Sequence, residues 1–467
     1  MRYTPSPMNP KGMTVAELTE ASKGRLISGD PHLRIGSFST DTRTLQRGDL
    51  FIALQGKTFD GHHFLQEALR RGAVGFVVSS SPQIPIPAGC VVIQVGDTER
   101  ALGDMANLWR RRCPVQVVAI TGTNGKTTTK EMTGSVLRKR YRVLTSSGNL
   151  NNLIGLPLSL FQLRREHEVA VLELGMSARG EIQRLAAIAE PDVGVITNIG
   201  EAHLEFLGSV QEVAEAKGEL LPFLAGQRLA VLNLDDPYLN GLLPRVQGRL
   251  HTFGLNSSAD VRGEQVRIGK GGRTHFTLVV GRRRERVHLN APGYPNVYNA
   301  LAAAAVGSAL GLDLKVIVAG LEEAKGVTMR MQKLLHPSGA VFVNDAYNAN
   351  PSSMAVALET FFTMVKGKDP IVVLGDMLEL GVGSEAAHRR VGAILARYRP
   401  GRLITLGEQA REIGVGAETA GFDRQRISHC QSHSEAQKVL RPYCRPGRWI
   451  FLKASRGMQL EKVLEGL

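Results

Sequence analysis

Cysteine is scarce in this 467-residue chain: Cys90, Cys113, Cys430 and Cys444 are too few and too scattered to form a disulfide framework. Aromatic residues make up only 5% of the chain, and the basic clusters Arg110–Arg112 and Arg282–Arg284 have none interleaved. A base-stacking nucleic-acid surface is therefore not expected. Long apolar runs are missing as well. The best candidate, Leu301 to Leu312, is interrupted by Gly307, Ser308 and Gly311, so no membrane span is expected. The opening Met1-Arg-Tyr-Thr-Pro-Ser-Pro7 has no apolar signal core, which gives the expectation of a cytoplasmic protein. Acidic residues are in deficit, with Asp and Glu numbering 43 against 57 Lys and Arg. An excess of positive charge without nucleic-acid features suits a small polyanionic substrate.

The most informative feature present is Ala119-Ile-Thr-Gly-Thr-Asn-Gly-Lys-Thr-Thr-Thr129. A β-branched run breaks into glycines and then Lys126 and Thr127. Backbone N–H groups at such a turn face anionic oxygens, Lys126 can neutralise outer phosphates, and the Thr127 hydroxyl can hold Mg²⁺. The loop is a short variant of the usual phosphate-binding pattern.

Length argues for about three domains of ~150 residues. The first, 1–112, is mixed α/β, with strands expected at Asp49–Leu54 and Val74–Ser79 and a helix at Phe64–Arg71. Arg110–Pro114 is expected as a linker. The second, 113–326, alternates strands at Val115–Ile120, Val169–Leu174, Val193–Thr197 and Leu229–Asn233 with helices at Thr128–Lys139 and Ser209–Leu221. That alternation predicts a parallel sheet covered on both faces, with ligands at the carboxyl ends of its strands. An antiparallel excursion is expected over Val261–Val287 and a helix over Asn299–Leu310. The third domain, 327–467, is expected to be Rossmann-like, with strands beginning at Val341, Ile371, Leu403 and Trp449.

Glu173, His203 and Lys217 each fall near the end of an expected strand or on the following helix. A carboxylate beside a phosphate loop suits Mg²⁺, whereas an imidazole is an unusual partner for that ion. His429, Cys430 and His433 lie close in sequence but lack a second ligand pair, and a surface helix or loop is the better reading.

In combination these motifs resemble the Mur ligase family of ATP-dependent amide-bond-forming enzymes over nearly the whole length. The marks are Asp41-Thr-Arg43, Gly48–Leu54, Asp60–Phe64, Thr121–Thr129, Gly148–Pro157, Glu173–Met176, Ala202-His203 and Ala216–Glu219, followed by Asp345–Met354, Leu374–Gly381 and Lys453–Arg456. The resemblance implies a three-domain α/β protein with a central P-loop mononucleotide-binding domain. Its substrates would be a UDP-N-acetylmuramoyl-tripeptide, ending in lysine or diaminopimelate, and D-alanyl-D-alanine, joined through an acyl phosphate in peptidoglycan precursor synthesis.

By that resemblance Gly122, Thr123, Asn124, Gly125, Lys126, Thr127 and Thr128 cradle ATP, with Asn296, Asn299, Arg330 and Asp345 also on the nucleotide. Thr127 and Glu173 hold one Mg²⁺ and His203 a second, positioned by Lys217 as a carbamate. Asp41, Thr42 and Arg43, with Leu54–Gly56, resemble uridine-diphosphate contacts. Gly148, Asn149, Asn151 and Asn152 lie toward the sugar and pyrophosphate, and Tyr347, Asn348 and Asn350 toward the dipeptide. The resemblance also implies a monomer whose outer domain closes over ATP, without nucleic acid. Two positions depart from the pattern: Pro295, where histidine is common, and Met329, where glycine is common. Still open at this point are a ligase of the same fold adding the third peptide residue or folate glutamates, and a nucleic-acid-dependent P-loop ATPase.

Overall fold

The structure is a computed structural model describing residues 12–56, 59–256 and 258–467, so the reading of the first seven residues lies outside the described residues. Three larger sheets follow one another along the chain. The first has five strands in the order Arg25–Ser28, Val91–Gln94, Gly75–Val78, Leu50–Ile52, Phe38–Ser39, parallel except for the first. A two-stranded pair, Met13–Thr14 with Arg34–Ile35, lies beside it.

The second sheet has nine strands. Its parallel core runs Arg249–Gly254, Leu229–Asn233, Val193–Ile196, Gln116–Thr121, Val169–Glu173, Val143–Thr145. Val117, Val118, Ala119 and Ile120 are fully buried, as are Ala170, Val171 and Leu172. Burial on both faces is why these strands read as unbroken apolar runs instead of alternating ones. The expected antiparallel excursion is present as Val261–Ile268, Thr274–Val280 and Arg283–Leu289, and it extends this same sheet.

The helix Tyr294–Ala309 begins five residues before the expected start at Asn299. Pro295 occupies its first turn, where a missing N–H costs nothing. Ala300 and Ala302 to Ala305 are buried because the helix lies between the sheet and the helices Lys126–Leu137 and Leu314–Glu323. The third sheet runs Gln332–Leu335, Val341–Asn344, Trp449–Lys453, Ile371–Gly375, Arg402–Leu406, Ile427–Cys430, parallel except for the first. No helix among the described residues is long and apolar enough to cross a membrane.

Arg110–Pro114, expected as a linker, is instead the end of the helix Thr98–Arg111 and is bonded down. Arg110 donates to the Ala189 and Glu190 carbonyls at 3.0 and 3.1 Å, and Arg112 pairs with Glu17. Trp109, 1% exposed, donates its indole N–H to the Leu163 carbonyl at 3.2 Å. It belongs to one continuous core shared by the first sheet and the adjoining face of the second. Trp109→Ala is expected to cost ~3–5 kcal/mol, read as a lowered urea midpoint. An unchanged midpoint would mean that this core does not join the two layers.

Candidate functional site

At the end of the strand Gln116–Thr121 the chain turns through two glycines that no other residue could replace without strain. Gly122 has φ 142°, and an added Cβ would fall 1.9 Å from Thr197 Oγ1. Gly125, with φ 83°, caps the helix Lys126–Leu137, and a Cβ there would meet Asn299 Oδ1 at 2.3 Å. The helix therefore starts two residues before the expected Thr128, and no side chain caps its first N–H groups. Lys126 folds back over the loop, donating to the Gly122 and Thr123 carbonyls at 2.9 and 3.2 Å. Burial, reinforced by the Arg330 charge and opposed by Glu173, lowers its pKa.

Glu173 ends its strand as expected and is held from two sides. Oε2 accepts from Thr127 Oγ1 at 2.8 Å, and Oε1 accepts from Asn151 Nδ2 at 2.8 Å. Arg330 Nη2 reaches across from the start of the third region to donate to the same Thr127 hydroxyl at 3.0 Å, with its guanidinium 4.2 Å from the Tyr347 ring centre. A residue without an assigned role underlies this corner. Lys130 is fully buried and donates to the Ser146 and Gly148 carbonyls at 2.5 and 3.3 Å, fastening the loop that carries Asn149, Asn151 and Asn152.

His203 has left-handed backbone, φ 55°, and its Nδ1 lies 2.7 Å from Glu379 Oε2 on the third sheet's side. Its pKa is lowered, chiefly by burial. Lys217, 2% exposed on the helix Val210–Gly218, has no hydrogen-bond or ion-pair partner among the described residues. Burial first, and then the charge of Lys126, push its pKa well below the usual lysine value, so its amine tends to be neutral.

The third region adds a loop fixed by a buried ion pair. Asp345 Oδ2 lies 2.5 Å from Lys453 Nζ, which also donates to the Asn348 carbonyl at 3.0 Å, and Asp345 Oδ1 accepts from the Met331 N–H at 2.8 Å. Asn350 is more occupied than its sequence position suggests. Its Oδ1 caps the helix Pro351–Met364 by accepting from Ser353 N at 2.8 Å, and its Nδ2 donates to Asn124 Oδ1 at 3.1 Å.

These groups surround a cavity of about 920 Å³. It is lined by Thr123, Asn124, Gly125, Lys126 and Thr128 of the loop, by Asn149, Asn151, Asn152, Glu173 and His203, by Asn296 and Asn299, and by Arg330, Asp345, Tyr347, Asn348 and Asn350. Thr127 joins through its bonds to Glu173 and Arg330. Lys217, Gly122 and Gly148 are not among the lining residues. Asp41, Thr42 and Arg43 do not reach it. Arg43 closes on Asp41 at 2.7 Å on an exposed loop of the first sheet, and these bonds lower the Asp41 pKa. His429 and Cys430 lie on an edge strand, which corrects the expectation of a surface helix or loop for those two, whereas His433 begins a helix as expected. Among the described residues no group of three or more His, Cys, Asp or Glu could hold a metal ion. The sequence left Lys130, Glu379 and Lys453 without roles; Glu379 and Lys453 stood inside quoted motifs, and Lys130 directly follows one.

Comparison with known proteins agrees with this geometry. Residues 34–110 match the catalytic domain of the Mur ligase family, 120–307 the Mur ligase middle domain, and 329–456 the glutamate ligase domain. The chain is 36% identical to the UDP-N-acetylmuramoyl-tripeptide–D-alanyl-D-alanine ligase of Bacillus subtilis (97% of this chain, 98% of that one), and 34% identical to the same-named ligase of Escherichia coli over the same shares. A crystal structure of MurF from Acinetobacter baumannii superposes with TM-score 0.89 at 31% identity, over 99% of both chains. MurF ligase from Thermotoga maritima in complex with ADP superposes with TM-score 0.81 at 28% identity, covering 92% of this chain and 96% of that one.

The buried lysine carries a pH signature. Its folded pKa lies below the ordinary 10.5, so between those two values the unfolded chain binds more protons and stability rises with pH. In CO₂-free buffer, urea unfolding of the wild type is expected to strengthen with rising pH across that window, and Lys217→Met to flatten the rise. Parallel curves would mean that Lys217 is solvated.

Proposed function

The chain belongs to the Mur ligase family, and on that premise we propose that it joins D-alanyl-D-alanine to UDP-N-acetylmuramoyl-tripeptide at the cost of ATP, giving the pentapeptide precursor of peptidoglycan, ADP and phosphate. The observation that carries this reading is the single cavity on which Lys126, Glu173, His203 and the third-region loop Asp345–Asn350 converge.

The chemistry follows from charge. A peptide carboxylate is a poor acyl donor because its oxygen leaves badly. The carboxylate oxygen attacks the γ-phosphorus of ATP, the bond to the ADP oxygen breaks, and an acyl phosphate results. The dipeptide amine then attacks the acyl carbon, phosphate leaves with the bonding pair, and the amine proton is released. Phosphoryl transfer depends chiefly on positioning and electrostatic stabilisation, so no side-chain nucleophile is needed. Gly122 to Thr128 cradle the phosphates, and Lys126 exchanges its carbonyl partners for the outer phosphate oxygens.

The donor set fits magnesium. Thr127 Oγ1 and a Glu173 carboxylate oxygen are hard donors 2.8 Å apart, and few protein ligands are present, as suits an ion that takes most of its oxygens from phosphate and water. When bound, magnesium neutralises charge on the transferring phosphoryl group. His203 Nε2, without a hydrogen-bond partner among the described residues, would hold a second ion. The Lys217 amine, pushed toward its neutral form, would take up CO₂ with loss of a proton, and the resulting carbamate would offer the second ion an oxygen. Asn296, Asn299 and Arg330 contact the nucleotide, while Asp345, both oxygens already engaged, shapes the approach of Arg330. Asp41, Thr42 and Arg43 meet the uridine diphosphate, and Gly148, Asn149, Asn151 and Asn152 the sugar side. We place the domains at 1–112, 113–326 and 327–467, in a cytoplasmic monomer.

The direct test is product analysis with ATP, D-alanyl-D-alanine and UDP-N-acetylmuramoyl-tripeptides ending in lysine or diaminopimelate. Pentapeptide and stoichiometric phosphate are expected with at least one of them. Product only with single amino acids would overturn the reading. Asn348, exposed and with its side chain unbonded, is the freer dipeptide contact. Asn348→Ala is expected to raise the dipeptide KM about fivefold, one hydrogen bond's worth, with the ATP KM unmoved. Asn350→Ala, which also unties Asn124, is expected to shift both. Equal shifts for the two variants would count against this assignment.

A further inference from the structure

Two non-glycine residues with left-handed backbone meet side chain to side chain across the boundary between the second and third sheets: His203, φ 55°, and Glu379, φ 62°. Such conformations persist where the surroundings over-determine them, and they gather at functional sites. The surroundings here form a short seam. The Glu205 N–H donates to the Glu379 carbonyl at 3.3 Å, Gly381 packs against Glu205, and Arg390 pairs with Glu201 at 2.9 Å.

The Glu379 side chain is 49% exposed. A contact so open to water contributes little to stability, so holding the fold together does not account for the strained backbone on both sides. Its geometric effect on the imidazole is specific. A carboxylate at 2.7 Å accepts a hydrogen bond from Nδ1–H, fixes the ring plane and leaves the Nε2 lone pair for the cavity, which both residues line. Carboxylates that hold the far nitrogen of a metal-binding histidine act in this way.

We propose that Glu379 is a positioning residue for His203, delivered by the third sheet, so that the imidazole is locked toward the metal only when that sheet is docked. This rests on the metal role given to His203 above. Glu379 itself touches neither substrate nor metal.

The test uses Mn²⁺ as a spectroscopic substitute for Mg²⁺, titrated by electron paramagnetic resonance into the full-length protein with a non-hydrolysable ATP analogue, alongside steady-state kinetics. Glu379→Ala is expected to weaken the His203-dependent Mn²⁺ site on the order of tenfold and to lower kcat similarly, with the dipeptide KM unchanged. Glu379→Gln, which keeps an acceptor oxygen, is expected to recover most of both. Arg390→Ala, which removes one exposed ion pair of the seam and leaves the sheet docked and His203 untouched, is expected to leave Mn²⁺ affinity at the wild-type value. The double variant His203→Ala/Glu379→Ala should bind no worse than His203→Ala, because a residue acting only through another has nothing further to lose. Unchanged Mn²⁺ affinity in Glu379→Ala while His203→Ala weakens it would overturn this proposal alone, as would equal weakening by Arg390→Ala. A silent His203→Ala would overturn the metal reading, and this proposal with it.

Discussion

Positive charge kept out of water is the condition around which the cavity is built. Lys126 is acted on by Arg330 and itself acts on Lys217, and Glu173 is the carboxylate set against Lys126. Burial of ammonium groups is costly, and both lysines answer it with lowered pKa values. Glu173 is fixed by the strand end that carries it and Lys126 by the helix start. A ligand that brings negative charge to Lys126 and Arg330 relieves that cost. A triphosphate beside a peptide carboxylate is such a ligand.

Placement of these charges depends on close packing more than on the charges themselves. Asn299 lies where a side chain on Gly125 would have to go, and Thr197 does the same to Gly122. The loop is thus wedged between the alanine-rich helix and the neighbouring strand, and its open N–H groups face a fixed direction. Arg330 enters from the third region between two residues of left-handed backbone, Met329 at φ 57° and Met331 at φ 51°. Glycine would adopt that conformation freely. The Met331 N–H bond to Asp345 and the Lys453 ion pair are what hold it here.

Much of this was legible in the sequence, for reasons that differ by element. The strands around Val117–Ile120, Val169–Leu172 and Leu229–Asn233 are buried on both faces and show as apolar runs. The short or half-exposed strands Val143–Thr145, Arg249–Gly254 and Gln332–Leu335 did not stand out, because their patterns are brief or alternate weakly. Lys126 and Glu173 announced themselves by position after a strand. Glu379 did not, since its meaning lies in a partner 176 residues away. Asn350 illustrates the reverse: a polar residue in a substrate-like motif turned out to be committed to a helix cap and to Asn124.

The division of the apolar cores has a consequence for how such a catalyst can diversify. One buried cluster runs without interruption from the first sheet into the second, whereas the clusters of the third sheet include no residue from either. The third sheet therefore meets the other two through polar seams, with no common interior to be repacked. Drift within its core leaves theirs unstrained, so on the proposed roles acceptor preference is a property that inheritance can vary as long as Arg330 and Glu379 are still presented.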